Sequence, residues 1–415
     1  MRLRIGFHGA IKVMRNANYR NYTIGSSCSL IGTWTQRVAV GWLTWQLTKS
    51  GAWLGIIAAT DLALMVATSP FAGVIADRFD RLKLSALSQF LMMVQAIALT
   101  TLYFAGVVTI EVLLAITAFL GICHAFHTAS RLALVPNLVP HEDLAPAIAI
   151  NTIIFNVARF LGPAVAGIVI NFSGVGPAFA INAFSFAIFL AILLSLRVEI
   201  RDKMERTGGG MLSEMKEGYR YAASHPGIGP MLMFVLVTAF ASRSISDLLP
   251  GFAGAVFDRG PAGLAWMTSA VGFGAMLAGI WLLAREGVEG LTRLVTTSSL
   301  IIVASLWVFT ATTIFWLAIP ALVVTGFGMI ISGVGTMTLI QSTVEGSVRG
   351  RVMSLFTLIH QGGAALGALT LGILSESFGL RLPVAGAGLL CLAAWLWMTQ
   401  RVHVVTPALE TVKAD

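Results

Sequence analysis

Five charged side chains stand inside long apolar runs: Arg37, Asp61, Arg159, Arg243 and Asp247. A charge buried in such a run is costly unless it faces a partner or a wet cavity. A carboxylate there can take up and release a proton, because burial and a neighbouring arginine pull its proton affinity in opposite directions. Arg37, Arg159 and Arg243 each follow the start of their run, counted from the side taken as inner, by about 15 residues. That is roughly 22 Å of helix, past the midplane of a roughly 30 Å hydrocarbon core. Asp61 reaches a similar depth to Arg37 from the other side, so the two are expected to form an ion pair. Asp247 follows Arg243 by four residues and is expected to share its helix face. Both carboxylates stay open to two readings: exchange of a proton, or a fixed ion pair between helices.

The arginines suggest a second chemistry. Guanidinium groups bind carboxylate or phosphate oxygens in pairs, so Arg37, Arg159 and Arg243 would suit an anionic or oxygen-rich small molecule. Trp34 offers a ring face for stacking. Gln36, Asn156, His360 and Gln361 are further polar candidates for a cavity lining. His124 and His127 sit three residues apart in a Cys-His-x-x-His cluster with Cys123. They form a weak candidate seat for a soft divalent metal, against ordinary helix packing, and no resident metal is expected.

The elements that must position these residues are helices crossing a bilayer. The chain has 415 residues, 57% hydrophobic and 11% charged, where a soluble domain has about 25% charged. Twelve apolar runs are long enough to span, starting near Tyr22, Trp53, Leu84, Glu111, Leu144, Pro177, Ile228, Gly263, Leu294, Ile314, Val352 and Leu382. The expected class is an all-α polytopic membrane protein, with twelve transmembrane helices in two pseudo-symmetric six-helix bundles. The expected divisions are 1–196 for the first bundle, 197–224 for a cytoplasmic linker with an amphipathic helix (Leu212, Met215 and Tyr219 on one side), and 225–415 for the second bundle and a short tail. Of the 27 Lys and Arg, only Lys49, Arg259 and Arg381 fall in segments between spans on the opposite side from the termini. That bias puts both termini in the cytoplasm. Cys28, Cys123 and Cys391 all lie in apolar runs and suggest buried thiols. No signal peptide and no nucleotide-binding loop is read.

A short charged loop between the second and third runs carries the most specific pattern: Gly73, Asp77, Arg78, Phe79, Asp80, Arg81 and Lys83. With Gly32-Thr33-Trp34-Thr35-Gln36, Leu134-Val135-Pro136-Asn137-Leu138, Asn156 to Pro163 and Arg349-Gly350-Arg351-Val352, it resembles the major facilitator superfamily over nearly the whole chain. Within it, the chain is similar to the branch of the enterobactin exporter and the macrolide efflux proteins. Asp80 stands where the broad superfamily usually has Gly, and Leu82 where it usually has a basic residue. The resemblance implies a gating loop of Gly73, Asp77, Arg78 and Arg81, with Asp77 steadying one state of the carrier. It also implies a secondary transporter exporting a siderophore-like or drug-like molecule by alternating access with proton antiport. Alternatives are a carrier of metal ions or other solutes, or a lipid-moving protein of the same fold. The expected partners are a small-molecule substrate, protons and the lipid bilayer. Nucleic acid, cofactor and enzymatic chemistry are not expected. The expected form is a monomer in the bacterial inner membrane.

Overall fold

A computed structural model describes residues 12–196, 211–285, 287–346 and 348–410; the side chains at 77–78, 132–133, 141, 145 and 211–215 also fall outside it. All regular structure in the described residues is helical. The first six long helices are α1 (Ala17–Thr48), α2 (Gly51–Arg78), α3 (Arg81–Phe104), α4 (Ile110–Leu138), α5 (Leu144–Ser173) and α6 (Val175–Ser195). A short helix α7 (Met211–Ser224) follows. The remaining helices are α8 (Ile228–Ser242), α9 (Ile245–Gly251), α10 (Gly260–Ala284), α11 (Leu291–Ala311), α12 (Phe315–Thr343), α13 (Arg349–Phe378), α14 (Arg381–Thr399) and α15 (Val402–Glu410).

Among the described residues, eleven spans are long and apolar enough to cross a membrane. The twelfth, α1, has 32 residues but carries polar side chains, among them Ser26, Ser29, Thr35 and Gln36. These are buried against protein rather than presented to lipid. The lipid-facing surface is instead built from residues such as Phe71, Phe172, Phe184 and Leu283, all largely exposed. Helix starts are fixed locally. Asp80 accepts from the backbone N–H of Leu82 at 2.9 Å and of Lys83 at 3.2 Å, which caps α3. Its departure from Gly in the charged loop therefore has a structural use. Thr109 caps α4 through the N–H of Val112.

The chain folds as two compact units, one of residues 1–47 and 60–206, the other of 48–59 and 207–415. In the first, α3 packs on α4 and α6, around a core that includes Tyr19, Tyr22, Leu134, Phe189 and Leu193. In the second, α12 packs on α10 and α11, and α13 on α8. Residues 48–59 are held in this unit by Glu376 of α13, whose Oε1 accepts from Ser50 Oγ at 2.7 Å and from the Ala52 N–H at 3.0 Å. The head of α2 is therefore capped by a carboxylate from a distant helix. Helix α7 docks on α13, with Glu217 paired to Arg351 at 2.8 Å. The connection at 197–210, and the side chains of Leu212 and Met215, lie outside the described residues; Tyr219 is exposed.

The seventh span is not one helix. Helix α8 ends at Ser242, a turn at Arg243–Ser244 follows, α9 runs to Gly251, and a wide turn covers Phe252–Val256. The backbone stays in the right-handed helical region at Arg243 (φ −76°, ψ −34°) and Ser244 (φ −61°, ψ −26°), so the helix tightens between Arg243 and Asp247 without changing course. Two tighter bonds mark the place, from the N–H of Ser246 to the Arg243 carbonyl at 3.2 Å and from that of Asp247 to the Ser244 carbonyl at 3.1 Å.

Candidate functional site

The first unit gathers most of the intramembrane charge into one cluster. Asp61 lies on α2 and His124 on α4. The carboxylate Oδ1 is 3.2 Å from His124 Nδ1, and both side chains are about one-fifth exposed. Arg37 on α1 is near enough to act electrostatically on the same carboxylate. The arginine expected beside Asp61 is present, but the ring in hydrogen-bond contact is His124, whose spacing from His127 had marked it as a weak metal ligand. Among the described residues, no three His, Cys, Asp or Glu side chains gather around a point that could hold a metal.

A glycine makes the Asp61–His124 contact possible. Gly121 precedes His124 by three residues on α4, and its Cα lies against the backbone of Asp61. A methyl group there would sit 2.6 Å from the Asp61 carbonyl oxygen and 3.2 Å from its Cα. Only a residue without Cβ lets α4 approach α2 this closely.

Beside the pair stands an aromatic platform. The guanidinium carbons of Arg37 and Arg159 each lie 5.6 Å from the Trp34 ring centroid. Phe155 meets the same ring edge-on at 6.1 Å. Cations at this range are attracted by the indole quadrupole. Gly162 on α5 sits against Trp34 Cβ and the Ile31 carbonyl of α1, so this close approach sets where Trp34 stands. One cluster thus combines two guanidinium groups, an indole face, a carboxylate and an imidazole. Guanidinium and indole groups are of the kind that bind oxygen-rich anions and aromatic rings, and carboxylate and imidazole of the kind that exchange protons.

Other candidates have different surroundings. Gln36 is 2% exposed and fully engaged in a buried amide chain. Its Nε2 donates to Gln95 Oε1 at 3.1 Å, and its Oε1 accepts from Asn182 Nδ2 at 2.8 Å. Ser185 Oγ donates to Asn182 Oδ1 at 3.2 Å. This chain ties α1 to α3 and α6. Asn156 donates back to the Thr152 carbonyl of its own helix at 2.9 Å. In the second unit, Arg243 donates to Gln361 Oε1 at 3.4 Å, and the His360 ring stacks on Phe356 with centroids 5.5 Å apart. In the charged loop, the side chains of Asp77 and Arg78 lie outside the described residues. Arg81 opens α3, and a Cβ at Gly73 would meet nothing within 4 Å among the described residues. Phe155, Gln95, Asn182 and Gly121 were not among the candidates that sequence singled out. The intramembrane amides Gln95 and Asn182 carried a usable signal, since polar groups inside spans seek partners.

A family model described as transmembrane secretion effector matches residues 9–413. The chain is 24% identical to the Staphyloferrin A transporter of Staphylococcus aureus over 392 residues, covering 92% of this chain and 96% of that protein. It is 22% identical to Macrolide efflux protein A of Streptococcus pyogenes over 386 residues, covering 91% and 95%. It is 27% identical to the Enterobactin exporter EntS of Escherichia coli over 357 residues, covering 83% and 79%. Among solved structures, a bacterial homolog of the human lysosomal transporter Spinster, inward-facing and occupied, superposes with a TM-score of 0.74 at 15% identity, covering 95% of this chain and 98% of that one. A charged cluster held inside helical spans, a fold shared with transporters and a family match along nearly the whole length agree: the chain belongs to the transmembrane secretion effector family of the major facilitator superfamily.

Proposed function

We propose that this protein exports a small organic molecule, siderophore-like or drug-like, across the bacterial inner membrane by alternating access, driven by antiport of protons. The observation that carries the reading is the Asp61–His124 contact at 3.2 Å inside the spans, beside Arg37. The pair can hold one proton more or one fewer without leaving an isolated charge in the membrane. Arg37, Trp34 and Arg159 suit a cargo with anionic oxygens and flat rings. The relatives named as a macrolide efflux protein and an enterobactin exporter favour export, and the one named as a staphyloferrin A transporter fits a cargo of that kind. The working form is a monomer with bundles 1–196 and 225–415 joined by the cytoplasmic segment 197–224 and with both termini in the cytoplasm. The inner-side bias of Lys and Arg supports that orientation.

The test is transport in proteoliposomes of purified protein, with enterobactin and erythromycin as separate labelled probes and an imposed pH gradient. The wild-type protein is expected to accumulate at least one probe in response to the gradient. Asp61→Asn is expected to keep probe exchange without a gradient and to lose gradient-driven accumulation. Undiminished accumulation by Asp61→Asn rules the proton role out.

A further inference from the structure

The polar residues of α4 do not stop at His124. His124, His127 and Arg131 follow at i, i+3 and i+7, so they line one face of the helix. That stripe runs roughly 10 Å from the Asp61 carboxylate towards the Leu138 end of α4. Tyr22 of α1 and Phe189 of α6 close around its middle. Tyr22 and His127 both meet the Phe189 ring, with centroids 5.6 Å and 6.4 Å away. Arg131 lies one turn beyond His127 on the same face of α4.

Packing alone does not account for these residue types. Tyr22 is 1% exposed, and its hydroxyl has no hydrogen-bond partner among the described residues. His127 Nδ1 is sealed from solvent and likewise has none among them. Buried polar atoms left unpaired are costly, and phenylalanine at both positions would fill similar space without that cost. Two such atoms flank one ring on a line that begins at a carboxylate, and both belong to groups that accept and donate protons.

We propose that His127, together with Tyr22, relays protons between the Asp61–His124 pair and the Leu138 end of α4. This rests on the reading that Asp61 exchanges a proton. A proton leaving Asp61 breaks its O–H bond as an N–H bond forms at His124 Nδ1. His124 then releases the proton on Nε2, and His127 accepts one on an unprotonated ring nitrogen as it releases one from the other. The Tyr22 hydroxyl accepts and donates in the same step, with water molecules as the carriers across the gaps, since neither it nor His127 Nδ1 has a hydrogen-bond partner among the described residues. At the Leu138 end the proton passes to bulk water, so Asp61 loses one proton, water gains one, and His124, His127 and Tyr22 each gain one and lose one. Among the described residues, the charged or titratable groups bordering this path are Asp61 from α2, Arg37, Tyr19 and Tyr22 from α1, and Arg131 and Cys123 from α4 itself.

The experiment uses full-length protein in liposomes adsorbed on a solid-supported membrane. A pH jump drives a charge-displacement current, and infrared difference spectra read the Asp61 carbonyl stretch. The wild-type protein is expected to show both signals, and Asp61→Asn neither. His127→Phe is expected to reach the same carbonyl endpoint, with the current relaxing at least tenfold more slowly. Tyr22→Phe, which removes one oxygen, is expected to slow it severalfold. Wild-type relaxation in His127→Phe with the carbonyl band intact overturns the relay while the proton role of Asp61 stands. Should His127→Phe fail to fold, Tyr22→Phe carries the test, and an unchanged rate there overturns the relay. A carbonyl band and current that persist in Asp61→Asn overturn both proposals.

Discussion

Replacing Gly121 with alanine tests whether a backbone approach builds the Asp61–His124 pair. The added methyl would lie 2.6 Å from the Asp61 carbonyl oxygen, where ordinary contact begins at 3.4 Å. The clash is with backbone, so no side-chain rotation relieves it, and α4 must move away from α2 by nearly 1 Å. Overpacking of this kind costs about 1–3 kcal/mol. The Asp61–His124 contact is already 3.2 Å long, so a similar shift takes it beyond hydrogen-bond range. A hydrogen bond to a charged group contributes roughly 1.5–3 kcal/mol. If half of that is needed at the rate-limiting proton step, gradient-driven transport falls about three- to tenfold. The assay pairs thermal unfolding in detergent with probe transport in liposomes. Gly279→Ala is the control, since a Cβ there meets nothing within 4 Å among the described residues. As an alanine in an open helical position it is expected to stabilise by about 0.5–1 kcal/mol with transport unchanged. If Gly121→Ala unfolds and transports like Gly279→Ala, the close approach does not position the pair.

Gln36→Leu breaks both bonds of the buried amide chain, strands Gln95 and Asn182, and is expected to cost about 1–3 kcal/mol; thermal unfolding reads the loss, and probe affinity in the folded fraction should stay as it was. Trp34→Leu removes the face shared by Arg37 and Arg159 and is expected to weaken binding of an aromatic probe about five- to thirtyfold, equivalent to roughly 1–2 kcal/mol. Equilibrium binding measures it, and unchanged affinity argues against the platform. Glu410 accepts from the N–H groups of Gly290 at 2.6 Å and Thr292 at 2.7 Å, tying α15 to the start of α11. Glu410→Ala is expected to free the end of α15, seen as faster proteolytic trimming. Lys12 is held above its ordinary value of 10.5 by hydrogen bonds to Glu142 first and Asp143 second. A raised lysine contributes fully below its unfolded pKa and loses the contribution as pH rises through the folded one. The stability difference between wild type and Lys12→Met should therefore be constant near neutrality and vanish only in strongly alkaline solution.

The helical membrane architecture was legible because hydropathy and length are local properties of the chain. Any run of about 20 apolar residues must close its own backbone hydrogen bonds in lipid, whatever its neighbours. The same reasoning marked Arg37 as a partner for Asp61 and Arg159 as a residue facing the bundle interior; Arg37 acts on Asp61, and Arg37 and Arg159 share the Trp34 ring. Which atoms they touch depended on tertiary structure. His124 faces Asp61 because Gly121 lets two helices approach at one rotational phase, and the spacing of histidines along α4 does not encode that phase. Gln36 looked like a cavity residue, yet it joins Gln95 and Asn182, which lie 59 and 146 positions away. The tightened turn at Arg243–Ser244 was hidden for a related reason. An apolar run reads as a single helix until packing fixes where its backbone turns. Composition and period determine which segments enter the bilayer; which faces meet there is decided only when the helices pack.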